Sequence, residues 1–134
     1  MNEVTNKSFS LADLNLTTKC EAAFEFEYLD SKGKGTGLFI TVLGSQAPKI
    51  QAWLRKTVNR QRTQDAVLAK RGKEEIRTAE DDEEFGAEAA VIRMVGWRGI
   101  NEPFSPDAAL ELVTINALVR AQVFDASNDL SNFT

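Results

Sequence analysis

Apolar positions in this chain first recur with a period of two and later with one of about 3.6, the marks of strand and helix. From 19 to 29, Cys20, Ala22, Phe24, Phe26 and Tyr28 share one face; Lys19, Glu21, Glu25 and Glu27 share the other. That alternation predicts a half-buried strand that includes Cys20. A glycine-rich stretch, DSKGKGTG at 30–37, follows it. Leu38, Ile40 and Val42 then alternate with Phe39, Thr41 and Leu43. The two segments read as an antiparallel hairpin over 19–43, joined by a long, mobile loop.

Helical spacing takes over at Pro48, which suits a first helical turn with Ser45 or Ala47 near the cap. Ile50, Trp53, Leu54 and Val58 make a short amphipathic stripe, NRQRTQD at 59–65 is polar throughout, 66–69 is apolar again, and Gly72 is a stop signal. A helix with so polar a middle projects into solvent or binds something there. The run FGAEAAVIRMVGW at 85–97 places Phe85, Ala89, Ile92 and Val95 on one stripe, widened by Ala87, Val91 and Met94 and interrupted only by Glu88 and Arg93. It predicts a central core helix ended by Gly96 and too short to cross a bilayer. After an irregular loop, RGINEPFS at 98–105, Ser105-Pro106-Asp107 is a strong helix start: the serine caps, the proline fits the first position and the aspartate complements the dipole. Ala109, Leu110 and Val113 follow as a buried stripe. Thr114 or Asn116 caps a last helix whose face is Val119, Val123, Ala126 and Leu130. Residues 127–134 read as a fraying tail, and 1–18 as a partly ordered arm in which Ser10 caps a turn over 11–14.

The fold class is therefore α+β, mostly α: an N-terminal antiparallel β-hairpin packed on a bundle of about four helices. The 134 residues suit one domain, with an arm at 1–18, the hairpin at 19–43 and the helical part at 48–134. No charged-then-apolar leader and no membrane span is visible. The single cysteine reads as a small core hydrophobe, consistent with a reducing cytoplasm.

Charge narrows the chemistry. The net charge is −4 and the pI about 4.9. This balance argues against a nucleic-acid module, whose affinity comes from neutralising phosphates. The absence of histidine removes the commonest general base and metal ligand, and with them every Ser-His or Cys-His pair. The glycine-rich loop lacks the Lys-Ser/Thr ending of a phosphate cradle and leads into a strand instead of a helix. Between 49 and 73 the charges are Lys49, Arg55, Lys56, Arg60, Arg62, Lys70, Arg71 and Lys73 against Asp65. Between 74 and 88 they are Glu74, Glu75, Glu80, Asp81, Asp82, Glu83, Glu84 and Glu88 against Arg77. Such blocks pair locally, meet across copies of the chain or contact a charged partner. The acidic block also suits the N-terminus of the central helix. Adjacent Asp81 and Asp82 do not make a calcium loop. Nothing converges at the spacing of a nucleophile and its base, so the reading is non-enzymatic, without catalytic residues, metal or cofactor.

The ordered set VGW (95–97), PFSPDAALELV (103–113) and LVRAQVFDASNDLSNF (118–133), preceded by FEFEYLD (24–30), GTGLFITVLG (35–44) and a basic helix, resembles the tail assembly chaperones of long-tailed, non-contractile bacteriophages. The likeness spans about residues 22–133. It implies a non-enzymatic protein of the host-cell cytoplasm that binds the helical tape measure protein in many copies and keeps it soluble. It also implies help in recruiting tail tube protein through a longer, frameshifted form, and absence from the mature virion. This chain, ending soon after its last helix, resembles the short form. The alternative is a structural tail or head–tail connector or completion protein. Such a chaperone needs a groove or an exposed apolar patch. The candidate partner-binding residues are Trp53, Arg55, Arg60, Arg62, Trp97, Arg98 and Phe104. For the three aromatics, core packing is the competing reading, Phe104 by stapling onto Ala109. A homo-oligomer is a further expectation; nucleic acid and membrane are not expected partners.

Overall fold

The computed structural model describes residues 8–72 and 79–134. Its order is a 3-10 turn (Ala12–Leu14), α1 (Leu16–Lys19), β1 (Phe24–Leu29), β2 (Gly35–Val42), α2 (Pro48–Lys70), α3 (Ala79–Arg93), β3 (Met94–Arg98), α4 (Pro106–Ile115), α5 (Ala117–Asn128) and a closing 3-10 turn (Leu130–Phe133). This is the mostly helical α+β class, a hairpin on a helical bundle. The hairpin is widened by one strand the hydrophobic pattern did not reveal.

The sheet is antiparallel in the order β1-β2-β3. Ile40 at its centre faces Phe26 on one side and Trp97 on the other. Ile40 and Val42 are fully buried, and Phe24, Phe26, Tyr28 and Leu38 pack against the same core. On the other face, the Arg98 guanidinium forks onto Glu25 at 2.9 and 3.2 Å and lies 3.8 Å from the Phe39 ring centroid.

Two boundaries differ from the sequence reading. The first strand begins at Phe24, not at residue 19, because α1 intervenes: the Asn15 side chain accepts from Thr18 N, and Cys20 N donates to Leu16 O. Cys20 is buried as expected, but at the end of a helical turn and not on a strand. The expected helix over 85–95 ends at Arg93. From there Met94–Arg98 pairs with the open edge of β2, and Leu43 N donates to Arg93 O at 2.8 Å. Val95, Gly96 and Trp97 favour this outcome, since glycine is poor in a helix and valine and tryptophan suit a strand. The buried line of α3 accordingly runs through Ala87 and Ala90 and continues into Met94, while Val95 is 39% exposed.

The hairpin connection is shorter than expected, 30–34. Asp30 closes it by accepting from the backbone N–H groups of Lys32 and Lys34. Gly33 adopts φ +78°, a region that suits glycine.

Only the first half of α2 meets the core, through Ile50 and Thr57; beyond residue 58 the helix is exposed apart from Gln61 and Leu68. It thus projects as its polar middle implied, and Gly72 follows its end at φ +69°. Ala47 occupies the α2 N-cap without a side-chain bond, whereas Ser105 caps α4 by accepting from Ala108 N at 3.0 Å. Asn116, not Thr114, caps α5, accepting from Leu118 N and Val119 N.

The C-terminus corrects the expectation of a fraying tail. Ser127 is fully buried and donates to Leu43 O at 2.8 Å, Phe133 is buried edge-on to Phe24, and the Asn132 side chain donates to Ala126 O. In the arm the turn spans Ala12–Leu14 with Leu11 at its N-cap, one residue later than expected, and Asp13 N donates to Ser10 Oγ; residues 1–7 lie outside the described residues. Reciprocally, Ser10 N donates to Asp13, whose carboxyl is held below its ordinary range by that bond.

Candidate groove between α2, α3 and α4

Pro48 starts α2 and so sets Trp53 on its second turn. Ser105-Pro106 starts α4 and so leaves Phe104 at its threshold. The C-terminal half of α3 and the start of β3 run between them. Together these elements enclose a groove of about 530 Å³. Its apolar lining includes Trp53, Val91, Ile92, Val95, Phe104 and Leu110, and Lys49, Glu88 and Asp107 bring charge to it. Val95 and Leu110, 39% and 38% exposed, leave apolar surface open to solvent there.

The aromatics are held by each other. Trp97 donates its indole N–H to Glu102 O at 3.0 Å, and its ring meets Phe104 edge-on at 5.0 Å. Trp53 lies against Phe85 with ring centroids 5.6 Å apart. Behind Trp53 a second recess of about 170 Å³ is lined by Ile50, Leu54, Phe85, Ala89, Arg93 and Phe124. Trp53 is therefore a wall common to both spaces.

The expected partner-contact residues divide. Trp53 and Phe104 come together in the groove. Trp97 braces Phe104 and lines a smaller recess of about 270 Å³ with Ile100, Leu112 and Ile115, the last 75% exposed. Arg98 stands apart, committed to Glu25: the shared hydrogen bonds push its pKa up and hold Glu25 below the ordinary carboxylate range. Arg55 and Arg62 are exposed on α2 and line neither apolar space. Arg60 lies in a polar cleft of about 420 Å³ with Gln64, Asp81, Asp82, Glu84 and Glu88. One cation of the basic block, Arg60, thus faces the acidic block within the molecule at this cleft, and Glu83 pairs with Arg120 at 2.8 Å. Lys73, Glu74, Glu75 and Arg77 lie outside the described residues.

Sequence reasoning passed over Leu110 as a core residue and Arg93 as an interruption in an apolar run. The interruption was the signal for Arg93: a cation on an otherwise apolar helix end is half-buried here, and burial pushes its pKa down. Among the described residues no three His, Cys, Asp or Glu side chains are grouped to hold a metal ion, and no helix is long and apolar enough to cross a membrane. No protein-family model, curated protein or solved structure matches the chain.

Proposed function

We propose that this chain is a tail assembly chaperone of a long-tailed, non-contractile bacteriophage. It binds the tape measure protein in multiple copies, keeps it soluble in the host cytoplasm, helps recruit tail tube subunits through a longer frameshifted form, and leaves before the virion matures. The observation that carries the reading is the groove under Trp53 and Phe104. It is mainly apolar, open to solvent at Val95 and Leu110, and enclosed by α2, α3, β3 and α4. A groove of this kind takes the apolar face of a partner helix, read as anchors at i, i+3, i+4 and i+7. The resemblance over about 22–133 supplies the identity of that helix.

The test is co-expression with the tape measure protein of the same phage. The wild-type chain is expected to hold it in the soluble fraction, and Leu110→Glu, which sets a charge in the groove, to lose it while melting as the wild type does. Failure of the wild-type chain to hold the tape measure protein overturns the reading. Mass spectrometry of mature virions separates the structural alternative, since stoichiometric amounts of this chain in the particle favour a connector or completion protein.

A further inference from the structure

Arg93 is the last residue of α3 and ends in the recess behind Trp53. Its Nη1 donates to Ala89 O at 2.6 Å, and its guanidinium carbon lies 4.8 Å from the centroid of Phe124, another wall of the recess. Its Nε is sealed from solvent and has no hydrogen-bond partner. No carboxylate lies against it among the described residues; the ion pairs of Arg98 and Arg120 are elsewhere. Burial is also the one influence displacing its pKa, with no neighbouring charge to offset it.

A cation so placed is costly to a free protein, because a buried donor without a partner loses its hydration and gains nothing in return. Nε is closed off, so what a group entering the recess meets is the charge of the half-buried guanidinium that lines it, and a carboxylate is its complement. The surrounding Ile50, Trp53, Leu54, Phe85 and Phe124 would exclude water from such a pair. The recess, about 170 Å³, has room for one side chain and not for a helix.

We infer that the recess behind Trp53 receives an aspartate or glutamate side chain of the partner helix, whose carboxylate pairs with Arg93 while its apolar face lies in the adjoining groove. This rests on the chaperone reading and narrows it: the segment held is an apolar helical stretch of the tape measure protein that carries an acidic residue among its anchors. A buried pair fixes register more than it adds affinity, so Arg93 sets where along the tape measure protein each copy sits.

Co-expression with the tape measure protein tests this with two variants. Arg93→Gln is expected to lower the retained tape measure protein at least about tenfold. Its own melting temperature should stay level or rise, because an unpaired half-buried charge has been removed. Arg93→Lys keeps a charge and a reactive amine, and zero-length carbodiimide coupling is expected to join that amine to an Asp or Glu of the tape measure protein flanked by apolar residues. Retention of the tape measure protein by Arg93→Gln at the wild-type level overturns the inference and leaves the chaperone reading standing. So does the absence of any such cross-link in a complex that forms, and this arm still decides should Arg93→Gln fail to fold. If the wild-type chain retains no tape measure protein, the chaperone reading falls and takes this inference with it.

Discussion

At the scale of the residue, close approach decides what can change. Gly44 donates its N–H to Cys20 O at 2.9 Å, and a Cβ there would stand 2.7 Å from the Cys20 Cβ and 3.0 Å from the Phe133 ring. Its backbone is not in the left-handed region, so the constraint is space and not φ. Gly44→Ala is expected to destabilise by about 1–3 kcal/mol through overpacking, read by urea denaturation. Loosening of the docked C-terminus should accompany the loss, because Phe133 is one of the crowded groups. Gly96→Ala, where an added Cβ meets nothing, serves as the contrast. A second residue-scale prediction concerns Glu25. Its carboxyl is held down first by hydrogen bonds from Arg98 and then by that cation's charge. A depressed pKa contributes stability above the unfolded value and loses it as pH falls through the folded value. The contribution is therefore intact at neutral pH and fades on acidification through and below the ordinary glutamate range. Both groups are exposed, so the effect on stability is small. The sharper readout is the Glu25 side-chain carbon shift in an NMR titration, whose midpoint is expected to rise toward the ordinary glutamate value in Arg98→Ala.

At the scale of the element, α3 and β3 show why part of the fold was legible and part was not. Ser105-Pro106-Asp107 was read correctly as a helix start because capping is local: the serine oxygen reaches Ala108 N within the same turn. The hairpin faces were legible over 24–28 and 38–42 for the same reason, since alternation needs no distant partner. The end of α3 could not be found that way. Residues 94–97 continue an apolar run that a helix could have carried on, and what turns them into a strand is the edge of β2, more than fifty residues earlier in the chain. Phe133 is the same lesson at the other end, because a terminal segment reads as loose until Phe24 is known to lie beneath it. The strand assignment gives a prediction a continuing helix would not. Gly96→Val replaces a flexible residue by a strand former at a position with free space and without positive φ. It is expected to leave stability unchanged or raise it by up to about 1 kcal/mol in thermal melts. A helix through Trp97 would instead gain more from alanine than from valine at that position.

At the scale of the whole molecule, the groove was half legible. Trp53 and Phe104 stood out because each borders a polar stretch, but their meeting depends on α2, α3, β3 and α4 converging, which no local pattern encodes. The charge blocks were legible as blocks, and the fold decides that Arg60 faces Asp82 and Glu84 across one cleft. That leaves the outer half of α2 as the least supported element. From 59 to 70 it is polar or exposed on nearly every side, and Val67 is open to solvent. A helical segment of a dozen residues has little stability alone in water, so this one is expected to open locally far below the cost of global unfolding. In hydrogen-exchange mass spectrometry of a dilute sample, peptides from 61–70 should exchange fully while those spanning α5, with Val119 and Val123 buried, remain protected. The same experiment examines self-association. If this outer half of α2 is covered by a second copy, its protection must rise with protein concentration and fall with salt, because the basic block carries eight cations, Arg60, Arg62 and Lys70 within this segment, and the acidic block is the complementary surface. Protection of 61–70 that is independent of concentration would mean that the outer half of α2 is stable by itself, and would remove the physical reason for expecting a homo-oligomer through this helix.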